Sequence, residues 1–440
     1  MEVDKTTLED LSIFSAYENS LVFKKLNFCI TTGGSDTLLE NLKTPITSIS
    51  EITDIQKTIA FISQNKKKWP TQISNGGIMV IEKFFPTGLD TIPSNPSAFA
   101  AYTYKLFHAP DFSLAIYSVK HCFEFLHGMQ LFAEQFLQAD TPRPLAAYLQ
   151  RIVKITHTPV LHPFKKYAQF NDVPLHEQLH LASFVKYRFK QHMFELMDIY
   201  FQLDAWYSMS EAMERYHFSF PQFKESDSPF IKAKGLYHLL LPKPIDYDIE
   251  LNNEQNFLFL TGANMAGKST FIKSVGIAIF LAHLGMGVPA QQLELSYCDG
   301  LLSNINAADN IIKGESYFYN EVQRIKSTIT KISDGRKWLI LIDELFKGTN
   351  VQDAMKCSSS VIEGLLKMKN SIFILSTHLY EISDELKKYP NIKFSYFETN
   401  VVNDQLQFEY QLKDGISNDR LGYLILQKEG VVDLLKSIPE

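Results

Sequence analysis

Cysteine is scarce in this chain: four among 440 residues, at positions 29, 122, 298 and 357, with no Cys-x-x-Cys pair. The scarcity excludes a disulfide framework and a cysteine zinc site, and it fits a reducing compartment. Positive charge is not in excess either. With 43 Lys plus Arg against 49 Asp plus Glu the net charge is −6, which excludes wholesale electrostatic attraction to nucleic acid. The start, Met1-Glu-Val-Asp4, lacks the basic and apolar regions of a signal peptide, so a cytoplasmic location is expected. Internal repeats and low-complexity tracts are missing too. One stretch, Ser274 to Leu293, contains no Asp, Glu, Lys or Arg. Its glycines, His283, Pro289 and two glutamines argue for a helix packed on a buried sheet rather than a membrane span.

What is present begins with Thr261-Gly-Ala-Asn-Met-Ala-Gly-Lys-Ser-Thr270, directly behind the apolar run Phe257-Leu-Phe-Leu260. Strand, glycine-rich turn and helix in that order form a nucleoside-triphosphate cradle. Gly262 and Gly267 let the loop turn so that backbone N–H groups face phosphate oxygens, and the helix adds its positive end. The predicted nucleotide-binding residues are Gly262, Ala263, Asn264, Met265, Ala266, Gly267, Lys268, Ser269 and Thr270. Lys268 reaches the β and γ phosphates and Ser269 holds Mg²⁺. The cofactors expected are therefore ATP and Mg²⁺.

Lys337-Trp-Leu-Ile-Leu-Ile-Asp-Glu344 gives a second buried strand, ending in two carboxylates. On a parallel strand beside the first, Asp343 serves the Mg²⁺ shell and Glu344 polarises the attacking water. A third apolar strand, Ser371 to Ser376, leads into Thr377-His378. That places His378 at the same sheet edge, within reach of the γ-phosphate, so the expected catalytic set is Lys268, Glu344 and His378.

The C-terminal half resembles the ATPase domain of the MutS family of DNA mismatch-repair proteins. The resemblance is carried, in order, by residues 261–270, Gly287-Val-Pro-Ala290, Ala307-Ala-Asp309, Gly314-Glu-Ser-Tyr-Phe-Tyr-Asn-Glu321, Asp343-Glu-Leu-Phe-Lys-Gly-Thr349 with Asp353, and Ser376-Thr-His378. It implies an ABC-type plan in which the signature segment of one subunit completes the other's nucleotide site. A homodimer follows, with Ser316 contacting the partner's γ-phosphate. Thr6-Thr-Leu-Glu-Asp-Leu11, residues 32–42, Pro45 and residues 55–59 are similar to the opening of the MutS core domain, and the stretch from Leu203 to Pro221 to its end.

The departures from that family pattern are specific. The core-like motif begins at residue 6, so the family's mismatch-probing domain and connector are expected to be missing. Phe132-Ala-Glu134 and Phe223-Lys-Glu225 echo the family's Phe-x-Glu wedge only in composition, and packing explains both. Glu315 and Tyr317 stand in place of the usual Arg and Thr, Phe346-Lys347 in place of Gly-Arg, and Asn304 in place of Arg. These changes bear on DNA-coupled signalling more than on ATP binding.

Residues 1–225 read as mostly helical, with breaks at Pro45, 70–77 and 86–96. Apolar residues such as Leu114, Tyr117, Val119, Phe123, Phe125 and Leu126 crowd more than one face, which suggests burial between helices. The polar passage from Ser226 to Lys234 marks the boundary. The expected fold is multidomain α and α/β: a core and lever domain over 1–225, then an ABC-type P-loop NTPase domain over 226–440 with a dimer-supporting tail. Between Arg143 and His192, eight basic residues face two acidic ones, and Lys165, Lys166, Lys186, Arg188 and Lys190 are the candidate DNA contacts. Tyr148, Phe164, Tyr167 and Phe170 lie among them; a solvated surface over core aromatics is the competing interpretation. The function expected is a homodimeric ATPase that couples nucleotide-driven closure to duplex, mismatched or branched DNA. A regulatory ATPase gripping a protein partner is the alternative, and a small-molecule kinase a third.

Overall fold

The computed structural model describes residues 1–14, 21–305, 317–402, 405–417, 430, 431 and 434. The chain opens with β1 (Glu2–Val3) and α1 (Lys5–Asp10). A helical stretch follows: α2 (Leu21–Leu26), α3 (Thr32–Lys43), α4 (Ile49–Asn65), α5 (Asn75–Phe84), α6 (Ala98–Phe107), α7 (Ala109–Phe136), α8 (Arg143–Thr156), α9 (Leu175–Arg188) and α10 (Lys190–Tyr216). Then come β2 (Gln222–Phe223), β3 (Ile231–Leu236), β4 (Tyr247–Leu251), β5 (Phe257–Gly262), α11 (Lys268–Ala282), β6 (Gln292–Leu295) and β7 (Gly300–Asn304). The last elements are α12 (Tyr317–Ile332), β8 (Trp338–Asp343), α13 (Val351–Leu365), β9 (Ser371–Ser376), α14 (Ser383–Leu386), β10 (Ile392–Val402) and β11 (Gln405–Asp414).

The structure divides into two compact units, and the division is not a single cut. One unit holds Met1–Lys25, Pro45–Ile52 and Met213–Glu440; the other holds Leu26–Thr44 and Thr53–Ala212. The first residues therefore belong with the α/β unit, where the sequence pattern had grouped them with the helices. Their attachment is specific, because β1 adds a parallel edge strand to β7, Glu2 opposite Gly300. From α1, Asp10 is almost wholly buried and accepts from Ser303 Oγ at 2.6 Å, the Ile305 N–H at 3.0 Å and Arg324 at 3.0 Å.

In the α/β unit the main sheet has seven strands in the order β1-β7-β8-β9-β5-β10-β11. All pairings are parallel except β10 with β11. β8 and β9 are buried along their whole length and β5 along all but its last residue, which is why they read as unbroken apolar runs rather than alternating ones. A second sheet runs β2-β6-β3-β4. Helix α11 lies on the main sheet so closely that a Cβ at Gly276 would stand 2.6 Å from Leu11 and 2.7 Å from Leu341. The charge-free run thus divides into this helix, a turn and the start of β6. Among the described residues no helix is long and apolar enough to cross a membrane. Phe223 packs edge-on against His283, consistent with packing.

The helical unit is organised around α7 and α10. Trp69 meets Phe132 at 4.8 Å and Tyr207 at 4.5 Å between ring centroids, and Phe132 stacks on Phe136 at 4.4 Å. Of the α7 residues expected between helices, Val119, Phe123, Phe125 and Leu126 are buried, whereas Leu114 and Tyr117 are exposed. Asp204 of α10, wholly buried, accepts the N–H groups of Ile30 and Thr31 and the Thr31 hydroxyl, fixing the start of α3. A Cβ at Gly34 would meet its carboxylate at 2.2 Å, so the close approach requires glycine there.

Candidate functional site

Between β5 and α11 the glycine-rich loop passes through left-handed backbone at Met265 and Gly267, φ 66° and 108°. Lys268 is the first residue of α11. Its Nζ folds back to donate to the carbonyls of Gly262 at 2.8 Å and Ala263 at 2.9 Å, closing the loop into a ring. Burial lowers its pKa to about 8, against the pull of the Glu344 and Asp343 carboxylates. The first-turn N–H groups of a helix have no partners within it, so this end of α11 offers donors and a positive dipole end to an anion.

Two neighbouring strand ends supply the acidic side. Asp343 closes β8 in register with Ser376 of β9, and the Ser376 hydroxyl donates to Asp343 Oδ1. One residue on, Glu344 adopts φ 65°, a conformation uncommon outside glycine, and its N–H donates to the Ser376 carbonyl at 3.0 Å. That turn throws its side chain off the sheet edge. Oε1 lies 2.6 Å from His378 Nε2, and Oε2 lies 3.3 Å from the Lys347 ammonium. Burial would raise its pKa, but the hydrogen bond from His378, the charges of His378 and Lys347 and the hydrogen bond from Lys347 outweigh it and hold it at about 2. His378 Nε2 is also 3.5 Å from Lys268 Nζ. The structure therefore brings Lys268, Glu344 and His378 into one contiguous group.

This group forms part of the lining of a cleft of about 510 Å³, together with Asn264, Met265, Gly267, Ser269 and Thr270. Asp343 is not in its lining. The rest of the lining is an apolar wall of Leu241, Ile245, Tyr247 and Tyr410, with Lys243. Polar loop and aromatic and aliphatic wall in one cleft suit a ligand with an anionic end and a planar apolar end. Sequence reasoning missed that wall. Tyr410 lies on an edge hairpin strand whose alternation looks like any other, and only the pairing of β10 beside β5 carries it to the loop.

Behind the acidic turn, Glu321 of α12 accepts the N–H groups of Lys347 and Gly348, both at 3.2 Å, and Phe346 packs on Phe318 at 5.7 Å. The loop that carries Glu344 is thus tied to Glu321, the last residue of the signature-like segment, whose second half opens α12. Ala307-Ala-Asp309 and Gly314-Glu-Ser316, with the expected trans residue Ser316, lie outside the described residues.

The basic segment is less uniform than its composition suggested. Lys186 donates to the carbonyls of Phe84 at 2.8 Å and Thr87 at 2.9 Å, and burial lowers its pKa. Lys190 lies over the rings of Phe85 and Phe194, and Lys166 over Tyr167. Lys165 and Arg188 are exposed. Phe164 and Phe170 are buried, Tyr148 packs on Trp206, and the Tyr167 hydroxyl donates to Glu177, so these aromatics serve packing.

Residues 258–434 match the family model described as MutS domain V. The chain is 29% identical over 233 residues to a DNA mismatch repair protein MutS of Petrotoga mobilis, covering 52% of this chain and 28% of that protein. It is 27% identical over 238 residues to a protein of the same name from Staphylococcus haemolyticus, covering 53% and 26% respectively. The matched region thus spans about a quarter of these relatives' length.

Proposed function

We propose, from the premise that this chain belongs to the MutS family through its domain V, that it binds ATP in the cleft beside Lys268 and hydrolyses it to ADP and phosphate. The observation that carries the reading is the contiguous Lys268–His378–Glu344 group at the ends of three adjacent parallel strands. Lys268 and the loop N–H groups bind the β and γ phosphates. Glu344, ionised and oriented by His378, accepts a proton from the attacking water, and His378 holds that carboxylate in place. Ser269 and Asp343 offer hard oxygen donors suited to Mg²⁺, and the Ser376 hydroxyl orients the Asp343 carboxylate. When bound, Mg²⁺ supplies charge neutralisation at the phosphates. The apolar wall with Tyr247 and Tyr410 receives the base. The unit follows the ABC-type plan and works as a homodimer, Ser316 of each subunit completing the other's site.

The helical unit then transmits closure to a partner, which in the family is DNA. A second reading, a protein partner in place of DNA, is favoured here by Lys186 being spent on two carbonyls and by the buried aromatics of the basic segment. Phosphate release by the purified chain with MgATP and no other substrate tests the hydrolase. It should be measurable in the wild type and lost in Lys268→Ala; equal release by both would sink the assignment. Binding to homoduplex, mismatched and junction DNA across a salt series separates the two partner readings.

A further inference from the structure

Helix α6 is built inside out. Its ten residues, Ala98-Phe-Ala-Ala-Tyr-Thr-Tyr-Lys-Leu-Phe107, turn Ala101 and Tyr104 inward. The larger apolar side chains point to solvent: Phe99 is 78% exposed, Tyr102 65%, Leu106 67% and Phe107 78%. Single exposed apolar residues are ordinary on a protein surface, but four large ones on one short helix need an occupant. We propose that α6 is a self-association surface, on which a second copy of this chain packs its own α6 antiparallel about a two-fold axis near Tyr102.

Three features point to a second copy. Phe99, Tyr102 and Leu106 recur at the three- and four-residue spacing of a helix–helix seam. In an antiparallel pair centred between Tyr102 and Thr103, Phe99 of each copy lies opposite Leu106 of the other and the two Tyr102 rings meet at the axis. Apolar residues thus face apolar residues on both halves, as a two-fold interface requires. Charge agrees. α6 carries no acidic residue, and its only cation, Lys105, sits 5.5 Å over the Phe112 ring and falls opposite Ala100 of the other copy. Two copies therefore meet without a like-charge pair, while a nucleic acid would find a single ammonium. Area is of the right order. Phe99, Tyr102 and Leu106 at these exposures present on the order of 400 Å². A standard interface takes about 800 Å² per partner, so this seam supplies about half of one.

The test uses the full chain without nucleotide and with EDTA, so that no nucleotide-driven contact is counted. Tyr102→Cys, under mild copper–phenanthroline oxidation, should give a disulfide-linked dimer that the wild type, with its four native thiols, does not. Adding Phe99→Glu and Leu106→Glu should cut that crosslinking by about tenfold or more, since each Glu then faces another Glu across the seam. Phe99→Glu with Leu106→Lys should restore it, because in the antiparallel register each Glu faces a Lys. All three positions are exposed, and unchanged circular dichroism and melting would show the variants folded. Absence of the crosslink, or a crosslink equally strong in all three backgrounds, overturns the proposal; an unrelated apolar partner predicts no crosslink in the purified chain.

Discussion

The pKa of Lys268 predicts how nucleotide affinity depends on pH. Burial lowers it to about 8 in the free protein, so the ammonium that meets the phosphates is fully present below that pH and lost as pH rises through it. A bound triphosphate restores opposite charge and lifts the pKa. Above pH 8, binding must therefore take up a proton, and affinity falls toward tenfold per pH unit. About one and a half units above the free-state pKa, only about 3% of the sites carry the proton, which corresponds to roughly a 30-fold loss or about 2 kcal/mol. The assay is titration with a fluorescent non-hydrolysable ATP analogue across this range. Lys268→Arg is the control, because its guanidinium stays charged throughout and its profile should be flat, at whatever lower affinity the different shape allows. A flat wild-type profile would refute the argument. So would an equal slope in the Arg variant, which would place the titrating group elsewhere.

Glu344→Gln should keep ATP affinity within a few fold and lower turnover by about 10²–10⁴, the range for loss of a general base; near-normal turnover removes Glu344 from that role. Lys347→Met removes one of the influences that hold Glu344 at about 2, so the acid limb of the rate profile should move to higher pH. A limb that stays put would mean that the 3.3 Å contact is broken in the working enzyme. Asp10→Ala removes the acceptor shared by Arg324, the Ser303 hydroxyl and the Ile305 N–H, and by comparison with broken buried pairs should cost about 3–5 kcal/mol in urea unfolding. A loss below about 1 kcal/mol would class that contact with exposed pairs. Replacing Lys165, Lys166, Arg188 and Lys190 with Gln tests the DNA reading: a flatter salt dependence of binding supports it, and unchanged binding favours a protein partner.

The central strands were legible because each is buried on both faces. Phe257–Leu260, Trp338–Asp343 and Ser371–Ser376 are continuous apolar runs, and the chemistry-bearing residues sit where those runs stop. The turn at Glu344 gave no such signal, since neither its φ of 65° nor its contact with Lys347 follows from spacing. β1 was illegible for a different reason: two residues pair with Gly300 and Leu301, from which the whole helical unit separates them in sequence, and no local pattern encodes so distant a neighbour. In the basic segment composition misled. A lysine count treats Lys186 and Arg188 alike, whereas two carbonyls and the Phe84 ring occupy the first.

Acid quenching after incubation of the chain with γ-labelled ATP and Mg²⁺, with no acceptor added, separates hydrolysis from phosphoryl transfer in one experiment. The wild type should convert the label to free inorganic phosphate, while Glu344→Gln retains it as intact, bound ATP. Label recovered on the protein or on a copurified small molecule, or intact ATP retained by the wild type as well, would contradict the hydrolase assignment.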